Sequence, residues 1–326
     1  MKKILVLGAT GHLGSNTAVY LKSIGYDVVA VGHRKSDNGF FSTKDIAYIG
    51  NFSIEKENCF SLLPKDIDAV VHLAGTMPAH ANANPMPYIQ SIVVGMVNVC
   101  EWMKNIGCKK IVFNTTPSDV CAFFGEAKPV DDEAPRSFPK DGGDHAVYAI
   151  AKNAAVDILE HYHIACDFAY TVFRHLTVYG YQENPYYNLD GVKKMLPWRQ
   201  IMKNCIDGKT VEIWGDPNRK KELLYIKDFT KAIECALQKS ENGIFNLGGD
   251  RPYTLEEQIQ GLIDVFGSKE NHPKKIYCPE KPNTPQNLLK SEKSKEILGW
   301  TPQYNWWQAC EDMKQEMETH PFGLLG

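Results

Sequence analysis

No apolar stretch of this chain is long enough to span a bilayer, which takes about 20 residues of helix. The opening "MKKILVLGATGHLG" sets two lysines before a short apolar run, the superficial look of a signal peptide. Glycines follow at once, and the run is read instead as a strand. Cysteine is present but unpatterned. Nine residues scatter from Cys59 to Cys310 with no Cys-x-x-Cys pair, an odd set that fits reduced thiols in the cytoplasm better than a disulfide framework or a zinc site. Excess charge is missing too: 36 Lys and Arg against 39 Asp and Glu leave a net charge of −3. That is no field for nucleic acid or an anionic membrane, so both are dropped as partners. There is no internal repeat and no low-complexity segment. What remains is 326 residues, 43% apolar and 23% charged, enough for one large domain or two closely joined ones around a real core.

The first half alternates strand and helix patterns. "KILVLG", "YDVVAVGH", "AVVHLAG", "KKIVFNTT" and "CDFAYTVFRHLTVYG" read as strands. "GSNTAVYLKSIG", "PYIQSIVVGMVNVCEWMKNIG" and "HAVYAIAKNAAVDILEHY" read as helices between them. Such alternation without hairpin signals predicts an α/β fold, a doubly wound parallel sheet of Rossmann type. From about Tyr181 the texture turns to Pro, Asn, Gly and aromatics, a smaller loop-rich lobe. The expected division is a dinucleotide-binding domain over 1–178 with a returning segment at about 223–248 ("GIFNLGGD" is strand-like). A substrate lobe makes up most of 179–326.

Between the first strand and first helix stands "GATGHLG". Gly8, Gly11 and Gly14 allow a sharp turn and close approach of a pyrophosphate to the free N–H groups of a helix start. A carboxylate at the end of the second strand would select NAD by bonding the ribose hydroxyls. Here Gly32 stands in its place, followed by His33, Arg34 and Lys35, cations that suit a 2′-phosphate. The expected cofactor is NADP, with NAD as the alternative.

Tyr148 and Lys152 share a helix face at i,i+4, close enough for an ammonium to ease the ionisation of a phenol. The glycine spacing, "HLAG" (His72–Gly75), Tyr148-x-x-x-Lys152, "FRHLTVYG", "LLYIKDFTKAI", "GIFNLGG" and "KEILGWTPQY" occur in order along nearly the whole chain. Together they resemble the extended short-chain dehydrogenase/reductases, the NAD(P)-dependent nucleotide-sugar epimerases, dehydratases and reductases. The resemblance implies a catalytic set of Thr116 (Thr115 is its neighbour in register), Tyr148 as proton donor or acceptor, and Lys152, which also holds the nicotinamide ribose. It implies cofactor contacts from Gly8, Thr10, Gly11, His12, Leu13 and Gly14; from His33, Arg34, Asn51 and Phe52; from Leu73, Ala74 and Gly75; and from His175. It further implies a homodimer through the helices carrying "IVVGMVNVC" and Tyr148, and a nucleoside-diphosphate sugar as substrate, with Thr177, Arg219 and Lys221 on the diphosphate. "TMPAHANANP" leaves the sheet at its carboxyl edge, so Met77 and His80 are further substrate candidates.

Departures narrow the reaction. Pro117 and Ser118 replace the acid pair of the dehydratases, which disfavours dehydration. Thr177 replaces an Asn, and Lys221-Glu222 replaces Arg-Asp. An epimerase or a keto-sugar reductase is expected; a cofactor-binding sensor or assembly protein without turnover is the alternative. His161-x-His163 is read as a polar helix end, not a metal site, and "NWW" (Asn305–Trp307) as packing of a C-terminal helix.

Overall fold

Alternation within β1 (Lys3–Leu7) sets the architecture. Ile4 and Val6 enter one apolar cluster, Leu5 and Leu7 another, because successive side chains of a strand point to opposite faces and both faces are covered. The computed structural model describes residues 2–78, 84–140, 142–268 and 272–326. On one side of β1 run β2 (Asp27–Val31) and β3 (Ala47–Ile49). On the other run β4 (Ala69–His72), β5 (Lys110–Asn114) and β6 (Ala169–His175).

Beyond β6, short strands pair locally: β7 (Val178–Tyr179) with β12 (Leu224–Tyr225), β8 (Tyr186–Leu189) with β9 (Val192–Met195), β10 (Val211–Trp214) with β15 (Lys275–Cys278), and β11 (Lys220–Glu222) with β14 (Pro252–Thr254). Between them β13 (Gly243–Leu247) returns to the main sheet and pairs parallel with β6. The sheet is seven-stranded, in the order β13-β6-β5-β4-β1-β2-β3.

Helices cover both faces, as expected of a doubly wound sheet. α1 (His12–Ser23) and α6 (Ile226–Leu237) pack on the Ile4 and Val6 side. α2 (Met86–Tyr88), α3 (Gly95–Ile106) and α4 (Asp144–Cys166) lie on the other. The single long helix predicted from Pro87 onward is interrupted: α2 passes through a π-helical stretch, Ile89–Val94, before α3. Beyond β7, α5 (Pro197–Ile206), α7 (Leu255–Phe266) and α9 (Trp306–Thr319) pack on the same cluster as α1, and α8 (Glu292–Leu298) lies against β13. Trp306 is buried behind a capping box of Asn305 and Gln308, the packing role expected of "NWW". One hairpin escaped the sequence reading. Asp190 and Gly191, both at positive φ, turn β8 into β9 at the tip of "YYNLDGVKKM". Among the described residues no helix is long and apolar enough to cross a membrane, and no group of His, Cys, Asp and Glu is placed to hold a metal ion.

Candidate active site

The carboxyl ends of β1, β4, β5 and β6 open into a cavity of about 1290 Å³ that Gln182, Tyr186, Leu196 and Lys221, beyond β7, also line. Its floor is made by the glycine turn. Gly8 has φ +82°, and a Cβ there would stand 2.7 Å from the Ala74 amide nitrogen. A Cβ on Gly14 would stand 2.2 Å from the Gly8 carbonyl oxygen. Two of the three glycines are therefore required by backbone packing alone. Gly11 is different: it caps α1 with ordinary φ, has no atom nearer than 3.4 Å to its missing Cβ, and faces the cavity. The α1 amides beyond it are the free donors of a helix N-terminus.

Tyr148 and Lys152 sit one turn apart on α4, both buried. The Lys152 ammonium donates to the Asn114 carbonyl at 2.9 Å and to Asn114 Oδ1 at 3.4 Å. It lies 4.3 Å from the centroid of Phe113 and 5.9 Å from that of Tyr148. Among the described residues no carboxylate offsets its burial, so desolvation lowers its pKa to about 7. The same desolvation pushes the Tyr148 phenol up, and its hydroxyl donates to Met77 Sδ at 3.8 Å. Two imidazoles flank the pair. His72 is fully buried against Phe113, neither ring nitrogen has a partner, and burial beside Lys152 lowers its pKa to about 3. His175 donates from Nδ1 to the Leu176 carbonyl at 2.8 Å, which leaves Nε2 as an unpartnered acceptor; burial lowers its pKa to about 4.

Thr116 caps the 3₁₀ turn Pro117–Asp119, its Oγ1 accepting from the Ser118 amide at 3.2 Å, so its hydroxyl proton stays free to donate elsewhere. Thr115 also lines the cavity, with a buried Oγ1 that has no partner. The turn is held from below by a buried ion pair. Arg174 on β6 grips both oxygens of Asp119 at 2.9 Å, and bonds the Asp132 carbonyl and Asn246 Oδ1 as well.

Most of the residues expected from sequence meet here. Gly8, Thr10, Gly11, His12, Leu13, Gly14, His33, Arg34, Phe52, Leu73, Ala74, Gly75, Met77, Thr116, Tyr148, Lys152, His175, Thr177 and Lys221 all line the one cavity. Asn51 and Arg219 do not. Asn51 has φ +55° and spends its amide on the Arg34 carbonyl, and the Arg219 guanidinium turns to the Trp214 carbonyl and Asn283. His80 lies outside the described residues. The sequence reading missed Asn114, which anchors Lys152, and Ser91, which the π-helical stretch brings onto the Thr76 hydroxyl at 2.8 Å. It missed Glu222 as a lining acid: burial raises this carboxyl to about 7 while its Oε2 accepts from the Gly249 amide.

The residues fit a dinucleotide. The glycine turn leaves room at Gly11, and His12 Nε2, Thr115 Oγ1 and His175 Nε2 are buried polar atoms without partners on residues that line the cavity. Gly32 could not carry the acid that selects NAD without displacement, since a Cβ would stand 2.9 Å from the Tyr48 hydroxyl and 3.1 Å from Thr10.

Residues 4–248 match the model of the NAD dependent epimerase/dehydratase family. The sequence is 26% identical to a UDP-glucuronate 4-epimerase of Thermodesulfobacterium geofontis, over 92% of this chain and 91% of that protein. It is also 26% identical to a UDP-glucose 4-epimerase of Lacticaseibacillus casei, over 93% and 92%. The fold is shared with the UDP-glucose 4-epimerase of Thermotoga maritima solved with UDP-glucose (TM-score 0.77, 23% identity, 98% of this chain and 99% of that one). It is shared equally with the UDP-glucuronic acid 4-epimerase of Bacillus cereus solved with UDP-glucuronic acid and NAD (TM-score 0.76, 21% identity, 98% and 99%).

Proposed function

The chain belongs to the NAD dependent epimerase/dehydratase family, and from that premise we propose that it epimerises or reduces a nucleoside-diphosphate sugar at a carbon beside Tyr148, using NADP. The observation that carries the reading is the buried Tyr148–Lys152 pair lining the same cavity of about 1290 Å³ as the glycine turn. The dinucleotide, when bound, supplies the hydride acceptor and donor. Gly8, Gly11, Gly14 and the α1 amides would hold its pyrophosphate, and Lys152 its nicotinamide ribose. Tyr148 carries its proton on the phenol and exchanges it with the sugar oxygen. The Lys152 charge lowers the cost of the phenolate, and negative charge entering the cavity in turn raises the Lys152 pKa. Thr116 donates its free hydroxyl proton to the same oxygen. Lys221, half-buried and pushed down by desolvation and then by Arg219, gives the diphosphate a point charge.

In this reading residues 1–178, with 223–248, serve the dinucleotide, and most of 179–326 shapes the sugar-nucleotide end. NADP rather than NAD rests on the crowded Gly32 and the cationic Arg34 at the cavity wall. The reading also includes a cytoplasmic homodimer. Val94, Val97 and Ile150 leave exposed apolar side chains on the adjoining π-helix–α3 and α4 surfaces, the faces by which two copies would meet.

The test is Tyr148→Phe, which removes one oxygen. Turnover of UDP-sugars, followed by NMR of the sugar, should fall by roughly 10²–10⁴, the range of general acid–base catalysis, while cofactor titrations stay unchanged. Lys152→Ala should lose turnover and weaken cofactor binding together. Full turnover by Tyr148→Phe would refute the assignment.

A further inference from the structure

Arg34 is an exposed residue on a loop, the kind of side chain that ordinarily moves freely. Here its backbone carbonyl is held twice and its guanidinium once. Its carbonyl accepts from the Tyr48 hydroxyl at 2.7 Å and from the Asn51 amide at 3.1 Å. Its Nη1 donates to the Leu325 carbonyl at 2.8 Å, a contact made across almost the whole sequence. Four residues on, Asn38 Nδ2 donates to the Leu324 carbonyl at 2.9 Å. The segment that supplies both carbonyls, His320–Leu325, is itself fastened along its length. His320 Nδ1 meets Glu183 Oε2 at 3.0 Å and the His320 ring lies edge-on to Tyr181. The Phe322 ring rests 5.5 Å from Phe40, and the Leu325 side chain is buried. This strap therefore ties the loop after β2 to the loop after β7, and both loops line the cavity, through Arg34 and through Gln182.

We propose that the segment His320–Leu325 is a specificity element for the cofactor, holding the Arg34 guanidinium in place to receive the 2′-phosphate of NADP. A neutral carbonyl takes one terminal nitrogen and neutralises no charge. The remaining donors of the fork, and the full positive charge, are left for an anion. A carboxylate in the same position would have quenched it. Arg34 has no ion-pair partner among the described residues: Asp37, the nearest acid in sequence, is buried and accepts from the Phe41 and Gly39 amides instead. Fixing a long side chain before the ligand arrives removes that ordering cost from binding, and only a ligand that touches the guanidinium gains from it. The inference rests on the NADP reading given above, and the experiment separates the two.

The probes are NADPH and NADH, titrated by the change in their own fluorescence. The proteins are the full chain, Arg34→Ala, a chain ending at Phe322, and a full-length Asn38→Ala/Leu325→Ala variant that loosens the strap should the shortened chain fail to fold. The full chain should prefer NADPH. Loosening or removing the strap should weaken NADPH roughly tenfold, the scale of freeing one Arg side chain, with NADH changed by less than about twofold. Added to Arg34→Ala, the same change should have no further effect on the ratio. Equal affinities in the full chain would overturn the NADP reading itself. A preference lost in Arg34→Ala but kept without the strap would overturn the strap's role alone. Equal weakening of both cofactors would make the segment merely structural and would also overturn it.

Discussion

Asp119→Asn should unsettle this protein more than its single-atom change implies. Asp119 and Arg174 are 0% and 1% exposed, and their two bonds at 2.9 Å are a bidentate pair taken wholly out of water. Removing one partner of such a pair leaves the other charge buried, at a cost of about 3–5 kcal/mol. The lower end is expected here. Arg174 keeps its bonds to the Asp132 carbonyl and Asn246 Oδ1, and the Asp132 carboxylate remains close enough to act on it electrostatically. The estimate is therefore about 3 kcal/mol, read as a lowered urea midpoint at unchanged slope. Function should suffer as well. Asp119 closes the turn that begins at Thr116, and its carbonyl receives the Ser137 amide at 2.6 Å, so turnover should drop while cofactor affinity holds. The double change Asp119→Val/Arg174→Met, which removes both charges, should recover much of the stability. A loss below about 1 kcal/mol in Asp119→Asn would refute the claim that this pair is desolvated and holds the turn.

Two further outcomes follow from other parts of the cavity. Gly14→Ala must move the Gly8 backbone, since its methyl would stand 2.2 Å from that carbonyl. Cofactor affinity by fluorescence titration should fall roughly 10²-fold, and Gly11→Ala, with no atom nearer than 3.4 Å, should leave the melting temperature unchanged; equal effects on stability would be evidence against the turn as described. Glu222 has its folded pKa raised from 4.5 to about 7 by burial, so between those values the folded form keeps a proton that the unfolded chain releases, and stability falls as pH rises through the window. Glu222→Gln should remove that fall, gaining up to about 3 kcal/mol at pH about 8 relative to pH about 4 in urea titrations; parallel pH profiles would count against it.

The sheet and the placing of Tyr148 and Lys152 on one helix face were legible because each rests on a local pattern in a buried strand or helix. Continuous apolar runs announce parallel strands, and Tyr148 and Lys152 announce themselves by helical spacing after a glycine turn. What stayed hidden depends on partners far away in sequence. Nothing near Arg34 says that Leu325 will bond it, and nothing near Asp119 says that Arg174 will. The placing of Arg219 and Asn51 away from the cavity was hidden for the same reason: the Arg219 guanidinium bonds the Trp214 carbonyl, and Asn51 sits in a left-handed turn. The π-helical stretch before α3 has no reliable sequence mark, whereas the Asp190-Gly191 hairpin had one that could have been read.

The place of β13 has a consequence for how the molecule is made. β6 is complete at His175, yet its outer edge is covered only when Leu247 has been synthesised. At about 5–20 residues per second, a nascent chain carries that open edge for several seconds. The edge is a row of unpaired amides and carbonyls, a template for any other extended strand nearby. The same interval leaves Arg174 without Asn246, so its buried network is completed only as the gap closes. Variants that slow or weaken the docking of β13 should therefore appear first as low soluble yield, before any change in the finished enzyme is measured.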